Sequence, residues 1–233
     1  MQLVLIGGGD IGRANTKYET KEIDEEIVRL ANKDRPNFLF IGLASSFADS
    51  YYKVIKDIYK NLGCETGKIS NKTLTHIEVV EKKINDADII YIGGGNTVKL
   101  VNTLKETGMD KMLYNALKRN CVLAGISAGA ITYLKYGLSD VEIMDGTSDN
   151  YVKVDGLGFL DYMFVPHFSS VPKKKEDLEK VLKENKNIKA LCADNCCAIE
   201  FNDDDMKIIK SKKDASVYEA YYDKKFKIDE IKC

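Results

Sequence analysis

The sequence predicts an α/β fold: a mostly parallel β-sheet with helices on both faces and an antiparallel C-terminal extension. Short apolar runs alternate with longer amphipathic runs through the first half of the chain, an order typical of β-α-β units. Near the C-terminus four short apolar runs follow one another closely, which indicates antiparallel strands. A chain of 233 residues can bury one sizeable core, so we expect residues 1–233 to form a single domain.

The individual elements follow from this alternation. Short apolar runs are predicted to be strands, at residues 2–6, 38–42, 66–69, 88–92, 121–124, 163–165, 188–192, 197–201, 206–210 and 217–222. Longer amphipathic runs are predicted to be helices, at residues 21–32, 50–62, 77–84, 97–104, 111–118, 130–134 and 175–184. Residues 137–158 are polar and rich in glycine and aspartate, so we interpret them as a loop or irregular hairpin that helps to build a site.

Composition excludes several classes of protein. Lys and Arg number 35 and Asp and Glu number 36, and the net charge of −1 gives no field that would attract nucleic acid or an anionic membrane. No apolar stretch approaches the roughly 20 residues of a membrane span, and the N-terminus has no secretion signal, so we expect a cytoplasmic protein. The expected activity is chemistry on a small molecule or a peptide.

The six cysteines are expected to be reduced thiols, because no secretion signal accompanies them. A metal site at residues 192–197, which include Cys192, Cys196 and Cys197, is disfavoured because no second Cys or His cluster stands nearby to complete four ligands. We therefore predict core thiols and no metal.

A serine stands in the pattern Gly125-Ile126-Ser127-Ala128-Gly129, between an apolar run and a helix-like run. The pattern G-x-S-x-G in this position is typical of a nucleophile elbow, in which small neighbours permit a tight strand-to-helix turn that exposes the serine Oγ. The following amide and the N-terminus of the new helix would stabilise an oxyanion. The alternative is a glycine-rich turn whose serine only caps the helix. We favour catalysis.

Two glycine-rich segments each follow a predicted strand. Residues 7–12 match G-x-G-x-x-G, but residues 13–17 lack helical periodicity and no acid ends the second strand to hold a ribose, so no dinucleotide cofactor is predicted. Residues 93–97 (Gly-Gly-Gly-Asn-Thr) follow the strand just before that of Ser127. Loops from neighbouring parallel strands converge at one sheet edge, so we expect a second oxyanion donor there. The alternative is a turn in which Asn96 caps a helix.

A serine nucleophile needs a general base, and the chain has two histidines. His76 has polar neighbours at a predicted helix start, whereas His167 directly follows an apolar strand and would lie at the same sheet edge as Ser127. His167 follows Ser127 by 40 residues, which is too short for the intervening units of an α/β-hydrolase. Five carboxylates between them are candidates for orienting His167, and the residues alone do not choose among them. They are Asp140, Glu142, Asp145, Asp149 and Asp155.

Three motifs, residues 93–97, 125–130 and 166–168 (Pro-His-Phe), together resemble the aspartyl dipeptidase (dipeptidase E) family of serine peptidases. The resemblance extends from residue 1 to residue 194. It is specific because the three motifs agree in order and spacing, whereas G-x-S-x-G alone is common. It implies a glutamine-amidotransferase-like α/β fold in which serine occupies the elbow.

The resemblance also implies a role for each motif. Ser127 is implied as the nucleophile and His167 as the base. The backbone amides of Gly95 and Ala128 are implied as the oxyanion hole. No cofactor is implied.

The third member of the triad and the substrate are less closely matched. The pair Ser139-Asp140 is similar to a short acidic motif of the family, which implies Asp140 as the acid, with Glu142 as the alternative. Asp-specific members of the family have tryptophan where Ile126 stands, and an acid soon after Pro-His-Phe where this chain has Ser169. These departures leave open whether a preference for an N-terminal aspartate is shared.

We therefore predict a cytoplasmic serine peptidase that hydrolyses short peptides, with Asp-X dipeptides as candidate substrates. The alternatives are an esterase, a cyanophycinase-like hydrolase, and a non-catalytic binding protein on the same fold. A small peptide is the expected partner, and neither nucleic acid nor a membrane is expected. The sequence leaves open whether the protein is a monomer or a homodimer.

Overall fold

A computed structural model describes residues 1–45, 48–203 and 205–232 of the protein. These residues form thirteen strands and eight α-helices, which confirms the predicted α/β class. The strands are β1 (Gln2–Ile6), β2 (Asn37–Ile41), β3 (Glu65–Ile69), β4 (Ile89–Ile92), β5 (Val122–Ile126), β6 (Leu134–Ser139), β7 (Val152–Asp155), β8 (Leu160–Val165), β9 (Ala190–Ala193), β10 (Cys197–Asn202), β11 (Asp205–Lys210), β12 (Val217–Asp223) and β13 (Lys225–Glu230). The helices are α1 (Lys21–Leu30), α2 (Ala48–Asn61), α3 (Ile77–Asp86), α4 (Thr97–Glu106), α5 (Met109–Lys118), α6 (Ala128–Tyr133), α7 (Val141–Met144) and α8 (Lys173–Glu184).

The strands divide between two sheets. The first has the order β11-β10-β1-β5-β4-β2-β3. Strands β1 to β5 are parallel within it, and β10 and β11 extend it in antiparallel fashion beyond β1. The second sheet has the order β13-β12-β9-β8-β6-β7. Its strands β6, β8 and β9 are parallel, and β7, β12 and β13 are antiparallel additions at its two ends.

This division corrects the expectation of one sheet with one antiparallel extension. The predicted C-terminal strands are present, but β10 and β11 belong to the first sheet and β12 and β13 to the second. Residues 137–158, interpreted as a loop or irregular hairpin, contain the end of β6, the short α7 and β7. The sequence pattern does not mark β6 and β7 as strands. β6 carries Lys135 and Gly137 among its apolar residues, and β7 is the four-residue strand Val-Lys-Val-Asp.

Alternation along the strands places apolar side chains on both faces of the first sheet. On β1, Leu3 faces the core that includes residues of α3 to α6, and Val4 faces the core that includes residues of α1 and α2. The first of these cores also contains Phe164 of β8, so it extends to the second sheet. The second sheet packs its other face on Leu178 of α8.

Five chain segments follow the carboxyl ends of parallel strands, three in the first sheet and two in the second. Strands β4, β5 and β1 are parallel neighbours, so the segments that follow Ile92, Ile126 and Ile6 leave the first sheet together. Strands β8 and β9 are parallel neighbours in the second sheet, so the segments after Val165 and Ala193 also leave together. Ligand sites in α/β folds form in such crevices at the carboxyl ends of parallel strands.

A buried carboxylate fastens the loop after β1 to the helices behind it. Asp24 of α1 is fully buried and accepts hydrogen bonds from the Thr20 hydroxyl (2.8 Å), the Tyr18 hydroxyl (3.0 Å) and the Tyr59 hydroxyl (2.8 Å). Burial raises the pKa of Asp24 from its ordinary value of 3.8 to about 6, although the three hydrogen bonds act in the opposite direction. The folded protein therefore holds this proton more tightly than the unfolded chain.

Replacing Asp24 by asparagine is expected to change how stability depends on pH. Because the pKa is higher in the folded state, the wild type loses stability as pH rises from about 4 to about 6, by about 3 kcal/mol through this group. Urea unfolding at pH 4 and pH 7 should show the wild type losing most of that amount relative to Asp24→Asn. Asp57→Asn, at an exposed position of α2, is the control. An equal pH dependence of wild type and Asp24→Asn would contradict this account.

Candidate active site

Ser127 forms the turn between β5 and α6. Its backbone has φ 54° and ψ −117°, a strained combination for a residue with a side chain. Three backbone hydrogen bonds hold the turn: the Ser127 amide donates to the Ile6 carbonyl (3.1 Å), and the amides of Ala130 and Ile131 each donate to the Ser127 carbonyl (3.0 Å). A Cβ atom on Gly129 would lie 2.1 Å from the Ile92 carbonyl oxygen, so only glycine lets α6 begin this close to β4. The geometry is that of a nucleophile elbow.

His167 follows β8 and meets Ser127 from the second sheet. Its Nε2 atom lies 3.0 Å from the Ser127 Oγ, a hydrogen-bond distance. Its amide donates to the Gly7 carbonyl at 2.9 Å, which ties the end of β8 to the loop after β1. The residue has φ 54°, so the backbone of the candidate base is strained like that of the candidate nucleophile. The structure thus brings together the predicted nucleophile and the predicted base.

Asn195 occupies the far side of the imidazole. Its Oδ1 atom lies 2.5 Å from His167 Nδ1. An amide oxygen can only accept, so Nδ1 carries the ring proton and Nε2 presents its lone pair to the Ser127 hydroxyl. This is the tautomer that a general base requires, and Asn195 selects it without a negative charge.

Strand pairing explains why Asn195 reaches this position. Val165 of β8 lies opposite Cys192 of β9, so His167 and Asn195 stand two and three residues beyond paired strand ends. A Cβ atom on Gly8 would lie 2.3 Å from both Asn195 Oδ1 and His167 Nδ1. The glycine-rich segment after β1 therefore clears the space in which this pair meets. Sequence reasoning missed Asn195, although it is a polar residue directly after an apolar strand.

Asp140, which the family resemblance implied as the acid, lies at the end of β6, the other neighbour of β8. It is exposed, and no hydrogen bond among the described residues joins it to His167. Its negative charge acts on the ring by favouring the imidazolium, and this effect partly opposes the causes that lower the pKa of His167. The alternative, Glu142, lies in α7 and likewise makes no hydrogen bond to His167 within the described ranges. The other carboxylates of this segment are the exposed Asp145, Asp149 and Asp155.

The pKa of His167 lies below its ordinary value of 6.5. Burial is the largest cause, because it removes water from the imidazolium, and the positive charge of Lys174 acts in the same direction. The hydrogen bond to Asn195 and the charge of Asp140 oppose both. The imidazole is therefore neutral at pH 7, which is the state a general base needs.

Lys174 is a buried cation behind the histidine. It is 4% exposed, its Nζ donates to the Pro166 carbonyl at 2.7 Å, and burial lowers its pKa to about 8. Replacing Lys174 by methionine is expected to raise the pKa of His167, because the repulsion is lost while the attraction to Asp140 remains. An NMR titration of the histidine Cε1–H resonances measures the shift directly. The acid limb of the kcat/KM profile should move to higher pH.

His76 gives this titration an internal control. The structure places it where the sequence predicted, exposed at the start of α3, with Nδ1 3.5 Å from a Glu78 carboxylate oxygen. Its Cε1–H resonance should not differ between the wild type and Lys174→Met. A His167 pKa that stays constant or falls in the variant would contradict the electrostatic account.

The two predicted oxyanion donors belong to two different strand-to-helix connections. Gly95 is in the loop between β4 and α4, and Ala128 is the first residue of α6. Neither amide donates to a backbone carbonyl of the residues that the structure describes. The Gly95 loop is fixed because the Asn96 amide donates to the Ala44 carbonyl (3.0 Å) and the Asn96 side chain caps α4. Both amides are thus free of backbone acceptors, which the predicted oxyanion role requires.

A cleft of about 450 Å³ opens over Ser127. The loop after β1 and the β4–α4 loop form its walls, and His167 and Asn195 also line it. This volume is within the range of small-molecule sites. Three charged side chains, Asp10, Arg13 and Glu19, border the cleft.

The described cysteines make no hydrogen bond to Ser127 or His167, although Cys196 follows Asn195 and its Sγ lies 3.7 Å from Glu19 Oε2. Those within the described residues are buried and free: Cys64, Cys121, Cys192, Cys196 and Cys197. Cys233 lies outside the described residues. In residues 1–45, 48–203 and 205–232, no group of three or more His, Cys, Asp or Glu side chains is arranged to hold a metal ion. In the same part of the chain, no helix has both the length and the apolar character of a membrane span.

The strand-to-helix turn with its serine and histidine is an arrangement that hydrolases use for nucleophilic catalysis. The chain belongs to peptidase family S51, whose sequence pattern matches residues 3–209.

Individual relatives agree with this assignment. The uncharacterized peptidase YgaJ of Bacillus subtilis is 27% identical over 218 residues, covering 93% of this chain and 90% of its own length. Peptidase E of Nostoc is 24% identical over 210 residues, covering 82% of each chain. The crystal structure of a peptidase from an acI-B1 Actinobacterium superposes with a TM-score of 0.66 at 20% identity, covering 93% of this chain and 89% of that one. At 20% identity, the structural similarity is evidence for the fold alone.

Proposed function

We propose that the protein is a serine peptidase that hydrolyses short peptides through an acyl-enzyme intermediate. The observation that carries the proposal is the 3.0 Å contact between Ser127 Oγ and His167 Nε2 at a strained strand-to-helix turn. Membership of peptidase family S51 supports peptide bonds as the substrate.

The proposed reaction has two halves. Ser127 Oγ attacks the carbonyl carbon of the scissile bond while His167 Nε2 takes the hydroxyl proton, and the amides of Gly95 and Ala128 donate to the oxyanion. His167 passes the proton to the departing amine, which leaves an ester on Ser127. A water molecule, deprotonated by His167, then attacks the ester carbon. The acid product leaves, and the proton returns to Ser127 Oγ.

Asn195 and Asp140 would share the task of a triad carboxylate. Asn195 Oδ1 accepts the Nδ1 proton and fixes the ring, as an asparagine does in some cysteine peptidases. Asp140 supplies negative charge without contact, which opposes the effect of Lys174 on the imidazolium that forms during the reaction. In this proposal the orienting hydrogen bond and the stabilising charge come from different strands, β9 and β6.

Asp-X dipeptides are the first substrates to test, because the resemblance to aspartyl dipeptidases rests on three motifs. The cleft is also small enough to favour short peptides over folded proteins. The buried, free cysteines support a reducing compartment, so we propose the cytoplasm as the location.

The test is hydrolysis of a panel of dipeptides (Asp-Ala, Ala-Ala, Gly-Ala) and of an activated ester. The wild type should release amino acids, and His167→Ala should lower turnover by about 10³-fold or more. His76→Ala is the matched control, because it removes the other histidine from an exposed position, and it should keep full activity. Cleavage of the ester without any peptide would indicate an esterase. Cleavage of neither would indicate a binding protein and would overturn the proposal.

A further inference from the structure

Of the three charged side chains that border the cleft, Glu19 already has a partner within the protein that compensates its charge. The Lys212 Nζ donates to its Oε1 at 2.6 Å, and the Asp10 amide donates to its Oε2 at 3.1 Å. The hydrogen bond from Lys212 is the main reason that the pKa of Glu19 lies below its ordinary value. Glu19 therefore braces the loop after β1 and offers little charge to a ligand.

The Arg13 guanidinium has no such partner: it makes no ion pair or hydrogen bond with any residue that the structure describes. Its Cζ lies 4.5 Å from the centre of the Tyr51 ring. Stacking on an aromatic face holds a guanidinium while leaving its N–H groups free at the edge. Tyr51 is 5% exposed, and a Cβ atom on Gly93 would lie 3.0 Å from its ring, so the tyrosine packs on the β4–α4 loop.

Gly94 lies beside the nucleophile. A Cβ atom on Gly94 would lie 3.5 Å from the Ser127 Cβ, so the β4–α4 loop runs beside the elbow. Arg13 and Ser127 thus border the same cleft, which Tyr51 and Gly94 also line. A ligand that reaches Ser127 meets a cation with five unused donors.

Asp10 is the second unpaired charge of the cleft, since its carboxylate contacts no donor in the described part of the chain. The backbone around it is fixed: the Glu19 amide donates to the Asp10 carbonyl at 2.7 Å, and Ile11 and Tyr18 form a β-bridge. The turn therefore presents one free anion and, three residues later, one free cation. Both face the space over the nucleophile.

We propose that Arg13 binds a carboxylate of the peptide substrate and that Asp10 binds its α-ammonium group, so the cleft selects short zwitterionic peptides. The inference rests on the proposed function and names the substrate class of that site. A guanidinium matches a carboxylate with two parallel hydrogen bonds. An extended dipeptide spans about 7 Å, which a cleft of about 450 Å³ accommodates. The carboxylate has two sources, the C-terminus or the side chain of an N-terminal acidic residue.

Four peptides distinguish the two sources of the carboxylate and test whether the α-ammonium group is bound: Ala-Ala, Ala-Ala amide, Asp-Ala amide and N-acetyl-Ala-Ala. Arg13→Gln should raise KM about 10- to 100-fold for peptides whose carboxylate it binds, and leave KM for Ala-Ala amide nearly unchanged. Loss of the wild-type preference for Ala-Ala over its amide identifies the C-terminal carboxylate. Loss of the preference for Asp-Ala amide over Ala-Ala amide identifies the side chain. Asp10→Asn should remove the discrimination against N-acetyl-Ala-Ala.

Lys17→Gln is the matched control. It removes one positive charge from the same exposed loop, outside the residues that border the cleft, and should leave every KM unchanged. Arg13→Lys keeps the charge but loses the paired donors, so its KM values should fall between those of wild type and Arg13→Gln. If Arg13→Gln is poorly folded, Arg13→Lys carries the test.

An uncharged alkyl fluorophosphonate separates failure of this inference from failure of the proposed function. The probe needs Ser127 and no carboxylate, so wild type and Arg13→Gln should label at equal rates. Absence of labelling in both would overturn the serine mechanism. Normal labelling combined with an Arg13→Gln variant that discriminates between peptides as the wild type does would overturn the inference alone.

Discussion

Replacing Ser127 by alanine is expected to lower kcat/KM for a peptide substrate by about 10⁶-fold, because the variant retains binding and oxyanion donors but has no nucleophile. The serine also sits at φ 54°, so its side chain is held in place by a strained turn whose only evident use is to expose it. The fold should remain intact, since alanine keeps the three backbone hydrogen bonds of the elbow. Steady-state kinetics with the best dipeptide of the panel measure the loss.

Ser169→Ala is the matched control for this variant. Ser169 lies two residues after His167, and its backbone amide donates to an Asp194 carboxylate oxygen at 2.8 Å, a hydrogen bond that survives the substitution. Its kcat/KM should stay within a few-fold of the wild type. If Ser127→Ala retained more than a small fraction of the activity in a folded protein, another group would have to be the nucleophile.

Replacing Asn195 by alanine is expected to lower kcat/KM by on the order of 10²- to 10⁴-fold. The variant loses the acceptor that lies 2.5 Å from His167 Nδ1, so the ring is free to turn and to adopt the wrong tautomer. The loss should fall mainly on kcat, because the substrate charges are bound elsewhere. Kinetics at saturating peptide therefore give the clearest measurement.

Asn195→Asp and Asp140→Asn distinguish the orienting role from a merely structural one. Aspartate at position 195 restores the acceptor and adds a negative charge, so activity near neutral pH should be kept while the pKa of His167 rises. The acid limb of the kcat/KM profile should move to higher pH. Asp140→Asn should have a smaller effect than Asn195→Ala, with a lower His167 pKa. The reverse order of effects would assign the orienting role to Asp140.

The elements of the fold were largely predictable, because most strands and helices are marked by strong local patterns. β4 and β5 are entirely buried runs, and α1 and α2 bury one face each. The division into two sheets was not predictable, because it depends on pairing between distant segments such as β6 with β8 and β9 with β12. β6 also carries a lysine and a glycine, which masked it as a strand.

The candidate site shows the same limit. Ser127 and His167 stand in short motifs that directly follow apolar strands, and each signal is local. Asn195 meets His167 only because β8 and β9 are neighbours in register, a fact no local pattern contains. Asn195 directly follows the apolar residues of β9, but the neighbouring cysteines are the stronger local pattern, and they are typical of a metal site or of core thiols. Gly8 likewise matched a cofactor motif, whereas its structural use is to admit the histidine and the asparagine.

Mapping the adduct of a fluorophosphonate probe tests the central claim, a serine nucleophile activated by His167, most directly. After incubation near pH 7.5, mass spectrometry of the intact wild type should show one added phosphonyl group, and the digested protein should place it on Ser127. Ser127→Ala should remain unmodified, and His167→Ala should label far more slowly. A folded wild type that stays unmodified, or an adduct that persists in Ser127→Ala, would contradict the account.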